Sequence, residues 1–131
     1  MNEPKWLSAE LIRAVHDRQI SIHGGIVGIR DLALLESALS KPLQKWSYQN
    51  PPADLYELAA SYAYGLVKNH AFMDGNKRAA HMAYRLFLQK NGILFESDKE
   101  AKYNNMIALA SGKMSEQDFA QWLRENSTPS E

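Results

Sequence analysis

Residues 54–78 read Asp54-Leu55-Tyr56-Glu57-Leu58-Ala59-Ala60-Ser61-Tyr62-Ala63-Tyr64-Gly65-Leu66-Val67-Lys68-Asn69-His70-Ala71-Phe72-Met73-Asp74-Gly75-Asn76-Lys77-Arg78. The first half is apolar nearly all round: Leu55, Leu58, Ala59, Ala60, Tyr62, Ala63, Tyr64, Leu66 and Val67 leave no face for water. A helix of that kind forms the buried centre of a domain. Asp54 and Glu57 make an Asp-x-x-Glu variant of the capping box that opens it. The second half, from His70 to Arg78, gathers an imidazole, a carboxylate, a glycine, an amide and two cations. A second apolar-patterned helix, 79–88, follows at once. The central helix decides the fold, and the junction at its end is where chemistry is expected.

Toward the N-terminus, Ser8 caps a helix with Leu11, Ile12, Val15 and Ile20 on one side. It should stop at His23-Gly24-Gly25, where glycine supplies left-handed geometry. After a turn through Gly28, Arg30 is expected to pair locally while Asp31 caps a second helix. Its stripe is Leu34, Leu35, Ala38 and Leu39, and Pro42 should end it. Residues 41–53, with Pro42, Pro51 and Pro52, read as a loop carrying Trp46 and Tyr48.

Toward the C-terminus, a fourth helix runs from near Asn76 to Asn91-Gly92, and 93–96 are briefly extended. Ser97 with Glu100 reads as the capping box of a fifth helix, which Gly112 stops. Ser115 with Asp118 opens a sixth that buries Phe119, Trp122 and Leu123. The tail, 127–131, reads as disordered. The expected architecture is all-α, about six helices around a buried central helix, in one domain spanning 1–126.

The bulk numbers agree. A chain of 131 residues with 45% hydrophobic and 23% charged residues can bury a core as one domain. Lysine plus arginine equals aspartate plus glutamate, 15 each, so no global field draws in nucleic acid or an anionic membrane, though a local patch is allowed. Cysteine is absent, which removes disulfides, thiolate zinc sites and thiol nucleophiles. No secretory h-region opens the chain, and no apolar run approaches the roughly 20 residues of a membrane span. A cytoplasmic protein is expected, with neither membrane nor direct nucleic-acid partners.

The junction has a chemical reading. His70 is suited to take a proton from a hydroxyl at neutral pH. Phe72 points into the core and anchors the loop that holds it. Asp74 offers hard oxygen ligands for Mg²⁺. Gly75 permits close backbone approach, and the free N–H groups of the helix behind it form an anion site. Asn76 can donate to a phosphate oxygen, while Lys77 and Arg78 supply charge to balance phosphate in a transition state. The alternative is ordinary turn chemistry, with solvated cations and a histidine at a helix end. Spacing alone leaves both open. The run is not a Walker A loop, which needs G-x-x-x-x-G-K-(S/T) after a strand, and no cluster has the spacing of a closed zinc site. Lys68 reads either as charge near phosphate or as an exposed helix-end lysine. Trp6 and Trp122 read as packing residues, and His16, His23 and His81 as non-catalytic.

The run His70–Arg78 resembles the Fic/Doc superfamily motif, His-x-Phe-x-(Asp/Glu/Asn)-(Ala/Gly)-Asn-(Gly/Lys)-Arg, at every defined position. Lys77 in place of glycine resembles the death-on-curing (Doc) branch. So do the stretch from His16-Asp17 to Gly24-Gly25, Gly28-Ile29-Arg30-Asp31, Leu35-Glu36-Ser37-Ala38-Leu39, and Phe87-Leu88 to Asn91-Gly92. The likeness runs from about residue 8 to 124. It implies the all-helical Fic fold and a toxin of a toxin–antitoxin pair, moving phosphate from ATP to a hydroxyl of translation elongation factor Tu and halting protein synthesis.

On that resemblance His70 is the catalytic base, Asp74 holds Mg²⁺, and Gly75, Asn76, Lys77 and Arg78 hold the nucleotide phosphates. Trp46 and Tyr48 then form either a flap that docks a target segment or a lid over the core. Gly75, where another Doc branch has alanine, leaves the chemistry unchanged. AMP-transferring relatives carry glycine at the position of Lys77 and a second arginine where this chain has His81. Both departures argue against AMP transfer and for a nucleotide bound the other way round, presenting its γ-phosphate.

The inhibitory helix motif of many Fic enzymes, (Ser/Thr)-x-x-x-Glu-(Gly/Asn), is missing. Glu125-Asn126 has Gln121 four residues before the glutamate. The expected brake therefore acts in trans: a small antitoxin whose C-terminal segment folds as a helix into a groove. AMP transfer, or a catalytically idle antitoxin-binding module, are the competing expectations.

Overall fold

In a computed structural model, which describes residues 2–130, six helices and two short strands follow in the order α1 (Ala9–His23), α2 (Leu32–Tyr48), α3 (Leu55–Asn69), α4 (Asn76–Lys90), β1 (Ile93–Phe95), α5 (Lys99–Ser111), α6 (Glu116–Glu125) and β2 (Ser127–Pro129). The mainly helical expectation is met. α3 is the central helix, burying Leu58, Ala59, Ala60, Ser61, Tyr62, Ala63, Gly65, Leu66 and Val67. It packs along α2, α4 and α6, and more lightly on α5. Tyr64 departs from the expected all-apolar wrap and is partly exposed. The capping box forms as read: Glu57 N donates to Asp54 Oδ1 at 2.8 Å, and Asp54 N donates to Glu57 Oε1 at 3.2 Å.

Burial of apolar surface at roughly 25 cal/mol per Å² makes this packing the main stabilising term. The core gathers aromatic rings at two ends. Trp6 stacks on Phe87 and meets Trp46 edge-on. Trp122 sits among Tyr84, Phe95 and Phe119. The buried Tyr62 hydroxyl accepts from Leu7 N at 3.0 Å, and burial pushes its pKa up to about 12. No helix among the described residues is long and apolar enough to cross a membrane.

Four expectations are corrected. Pro42 does not end α2. The helix continues through it to Tyr48, because a proline's lost N–H bond and steric clash, about 3 kcal/mol, are offset by burying Pro42 and seating Trp46 on Trp6. Residues 41–48 are therefore helix, not loop. The cap of α5 is Asp98, whose carboxylate accepts from Ala101 N at 2.7 Å, so the Ser97–Glu100 box does not form. Arg30 does not pair locally but crosses to the end of α3. Finally, the tail expected to be disordered from 127 pairs antiparallel with β1, Ile93 opposite Pro129 and Phe95 opposite Ser127. The turn at Asn126 returns the chain, and Ser130 N closes onto Gly92 O at 2.6 Å. Residue 131 lies outside the described residues.

Candidate active site

α3 ends at His70, which takes the left-handed conformation, φ 51° and ψ 48°. It is the one non-glycine residue with positive φ among those described. Such a conformation costs free energy and persists only where neighbours enforce it. Arg30 is the enforcer: its Nε donates to His70 O at 2.7 Å and its Nη2 to Asn69 O at 3.0 Å, satisfying carbonyls a helix end leaves open. The imidazole is exposed and makes no hydrogen bond among the described residues.

Beyond His70 the chain runs beside the segment 24–31. Arg30 N and Asp31 N both donate to Ala71 O, Met73 N donates to Gly28 O, and Ile29 bridges Phe72. Phe72 is buried, as expected of an anchor, and its ring lies flat against His16 with centroids 3.8 Å apart and an interplanar angle of 10°. His16 is wholly buried, and its Nε2 bonds to Asp74 O at 2.7 Å. The motif loop thus rests on an imidazole from α1.

Asn76 is turned inward. Its Oδ1 accepts from Phe72 N and its Nδ2 donates to Phe72 O, both at 3.0 Å. These bonds close the loop 72–76, so the amide holds the loop and does not face outward toward a phosphate. What Asn76 offers an anion is its backbone N–H. Gly75 precedes α4 at φ 73° and gives the helix no side-chain cap. The N–H groups of Asn76, Lys77 and Arg78 have no acceptor among the described residues. Uncapped N–H groups with the helix dipole behind them attract an anion. Lys77 and Arg78 stand exposed at the same end. Arg78 Nη1 donates to Gly24 O at 3.0 Å, which leaves other guanidinium N–H groups for a ligand.

Asp74 is exposed, and its carboxylate accepts from Ile26 N at 3.1 Å and Gly75 N at 2.8 Å. These backbone bonds hold its carboxyl below the ordinary 3.8, the former contributing most, with the charge of Arg78 adding less. The carboxylate is therefore ionised at neutral pH, with lone pairs left for a hard cation. No cluster of metal-ligating side chains surrounds it among the described residues, so a Mg²⁺ there would draw its other ligands from phosphate and water. Gly25 makes this possible. A Cβ on it would stand 2.8 Å from Asp74 Oδ2 and 2.9 Å from Ile20 Cδ1.

His70, Asp74, Lys77 and Arg78 are exposed and Gly75 is half-buried, while Phe72 and Asn76 are buried. Lys68 is engaged elsewhere: its Nζ donates to Ala110 O at 3.0 Å and joins α3 to the end of α5. Trp46 is turned onto Trp6, so the segment beside the motif is 24–31 and not 41–53. Sequence reasoning missed His16, Gly25 and Arg30 as supports. The signal for His16 was its spacing, since Ile12, His16 and Ile20 are the residues α1 buries, and a polar side chain on a buried stripe calls for a partner.

Comparison with known proteins shows what the sequence is similar to. A model of the Fic/DOC family matches residues 6–88. The protein named "Protein kinase doc" of Escherichia phage P1 is 33% identical over 121 residues, covering 92% of this chain and 94% of that one. "Toxin Doc" of Mycolicibacterium smegmatis is 36% identical over 75 residues, 57% of this chain and 58% of its own.

Proposed function

The chain belongs to the Fic/DOC family, on its Doc branch, and on that premise we propose that it is the toxin of a toxin–antitoxin pair and transfers the γ-phosphoryl group of ATP to a protein hydroxyl. The observation that carries this reading is the pairing of an exposed, unbonded imidazole at the end of α3 with an uncapped, cation-flanked start of α4. The names of the relatives support it, one a protein kinase and the other a toxin. The proposed acceptor is a hydroxyl of translation elongation factor Tu.

His70 takes the proton of the acceptor hydroxyl as its oxygen bonds to the γ-phosphorus. The bond from that phosphorus to the bridging oxygen breaks, and ADP leaves with the electron pair. The N–H groups of Asn76, Lys77 and Arg78 face the oxygens on which charge accumulates, and the two cationic side chains offset it. Asn76 and Phe72 keep the loop closed while this happens, and His16 supports it from below. Asp74 would hold Mg²⁺, which when bound neutralises phosphate charge and orients the nucleotide. The proposed brake is a small antitoxin whose C-terminal segment docks as a helix. Gln121, where the inhibitory motif has serine or threonine, supports a brake that acts in trans.

The test is incubation with the elongation factor and ATP labelled at either the α- or the γ-phosphate. Label should reach protein from the γ position alone, and His70→Ala should reduce transfer at least a thousand-fold, as removal of a group essential to the chemistry does. Transfer of α-label would replace this reading by AMP transfer. A His70→Ala protein that stays as toxic on expression as the wild type would leave only the idle binding module.

A further inference from the structure

A base that takes a proton must also be aimed at it. Catalytic imidazoles are commonly oriented by a third group that bonds the far ring nitrogen. His70 has no such group among the described residues, since its ring is exposed and unbonded. Its aim therefore comes from the backbone that carries it. Peptide groups are planar. The direction of the Cα–Cβ bond at residue 70 thus follows from how the two flanking peptide planes are turned, which is to say from φ and ψ of His70.

Residue 30 holds those planes. The carbonyls of Asn69 and His70 belong to the peptide groups on either side of the His70 Cα. Both accept from one guanidinium, the first from Nη2 at 3.0 Å and the second from Nε at 2.7 Å. A guanidinium is a rigid planar fork. Two bonds from it fix the planes relative to each other, and with them the left-handed φ of 51° and ψ of 48°. The next carbonyl, Ala71 O, accepts from Arg30 N at 2.7 Å and from Asp31 N at 3.0 Å. Three successive carbonyls thus converge on one residue from another part of the chain. That residue is itself anchored, because Ile29 bridges Phe72 and Asp31 caps α2 by accepting from Leu34 N at 3.1 Å. No carboxylate lies within ion-pair distance of Arg30 among the described residues. Its charge is directed at the carbonyl end of α3, where the helix dipole favours a cation.

We propose that Arg30 is a positioning residue for the transfer: its fork clamps the peptide planes about His70 and so aims the imidazole at the acceptor hydroxyl. The inference rests on the transfer reading above and adds to it the group that does for His70 what a bonded carboxylate does for other catalytic histidines. Left to itself, residue 70 would prefer the right-handed conformation. That conformation would lean its side chain back over the preceding turn of α3. Glycine would take the left-handed form without help, but glycine carries no base. A base at this position requires an outside clamp.

Transfer of γ-label to the elongation factor by the whole protein, with ATP varied, tests this in Arg30→Ala and Arg30→Lys. Arg30→Ala should lower kcat about a hundred-fold, the scale of a reacting group misplaced by about 1 Å. KM for ATP and the calorimetric affinity for a non-hydrolysable ATP analogue should not change. Arg30→Lys keeps the charge without the fork and should fall between. The three-bond HN–Hα coupling and ¹³C shifts of His70 should leave left-handed values in Arg30→Ala. In a His70→Ala background, Arg30→Ala should cost nothing further, because the clamp then has no base to aim. A thermal melt verifies the fold of each variant, and Arg30→Lys carries the same readings if Arg30→Ala does not fold. Transfer at the wild-type rate by the folded variants would overturn the proposal. A loss that falls on KM and on analogue affinity would make Arg30 a nucleotide ligand and overturn it as well. So would a lowered kcat with the His70 coupling unmoved, since Arg30 would then act on the substrate directly. Wild type that moves no γ-label would overturn the transfer reading, while the His70 coupling, read in the free protein, still decides the clamp.

Discussion

His16 stands wholly buried under the motif loop, with its Nε2 on the Asp74 carbonyl and its Nδ1 lacking a hydrogen-bond partner among the described residues. Asp17 carries the nearest carboxylate, 3.8 Å from Nδ1 on an exposed side chain. To donate to a carbonyl, Nε2 must carry the proton, so the ring is held as one tautomer by a single bond and by its stack on Phe72. Leaving a buried acceptor unpaired costs about 1–3 kcal/mol, so the arrangement persists because it positions the loop. His16→Phe keeps the stack but removes the bond and orphans the Asp74 carbonyl. That variant should lose about 1–2 kcal/mol of stability. Its transfer rate should fall about ten-fold or more, since a small misplacement of positioned groups is costly. A denaturant melt and γ-label transfer measure the two effects. A variant that melts lower yet transfers at the wild-type rate would make His16 a core residue and nothing more. Asn76 teaches a related point. The motif places an amide here, but only the fold shows that both of its polar atoms close onto Phe72.

Helix α2 meets α3 where Gly65 lies against Ala38. A Cβ on Gly65 would stand 3.1 Å from the Ala38 Cβ and 3.2 Å from its Cα. Backbone cannot yield as a flexible side chain can, so Gly65→Ala must push the two helices apart. Overpacking costs about 1–3 kcal/mol, and alanine's better helix propensity returns about 1 kcal/mol. A net loss of about 1 kcal/mol is expected, measured as a lower Tm. A variant as stable as the wild type would show that the α2–α3 crossing can relax. The same crossing explains what could be read in advance. α3 was legible because its side chains are apolar nearly all round, a property of one segment alone. The end of α2 was not, because the proline rule counts a local backbone cost, whereas the compensating contact joins Trp46 to Trp6, far away in the chain. The β1–β2 pair escaped for the same reason, since neither three-residue strand has a pattern without its partner. Ser97 and Asp98 are both good caps, and the register that buries Met106 and Leu109 selects Asp98. At the site, His70, Asp74, Lys77 and Arg78 were legible as a motif. The supports in α1 and 24–31 come from other elements, and only packing reveals them.

At the scale of the whole molecule, His81 couples folding to pH. Burial, first, and then the charges of Arg85 and Lys102 lower its pKa from 6.5 to about 4. The unfolded chain therefore takes up a proton at this position near pH 6.5 that the folded chain refuses until about pH 4. Protonation favours the unfolded state in that window, so this contribution to stability is complete above pH 6.5 and is lost as pH falls toward 4. At 1.36 kcal/mol per pH unit the full shift would be worth about 3 kcal/mol. His81 is only partly buried, so solvent screening reduces this to about 1–2 kcal/mol. Denaturant melts of wild type and His81→Gln at pH 7.5, 6 and 4.5 isolate the effect from the carboxylates, which titrate lower. Wild type should lose more stability than the variant across this range, with the gap opening below pH 6.5. Parallel curves would mean that the imidazole takes up its proton alike in the folded and unfolded chains. Lys102→Glu exchanges a repelling charge for an attracting one, so it should raise the pKa of His81 and flatten the wild-type slope. The difference between the two slopes measures the repulsion of Lys102 apart from the larger effect of burial.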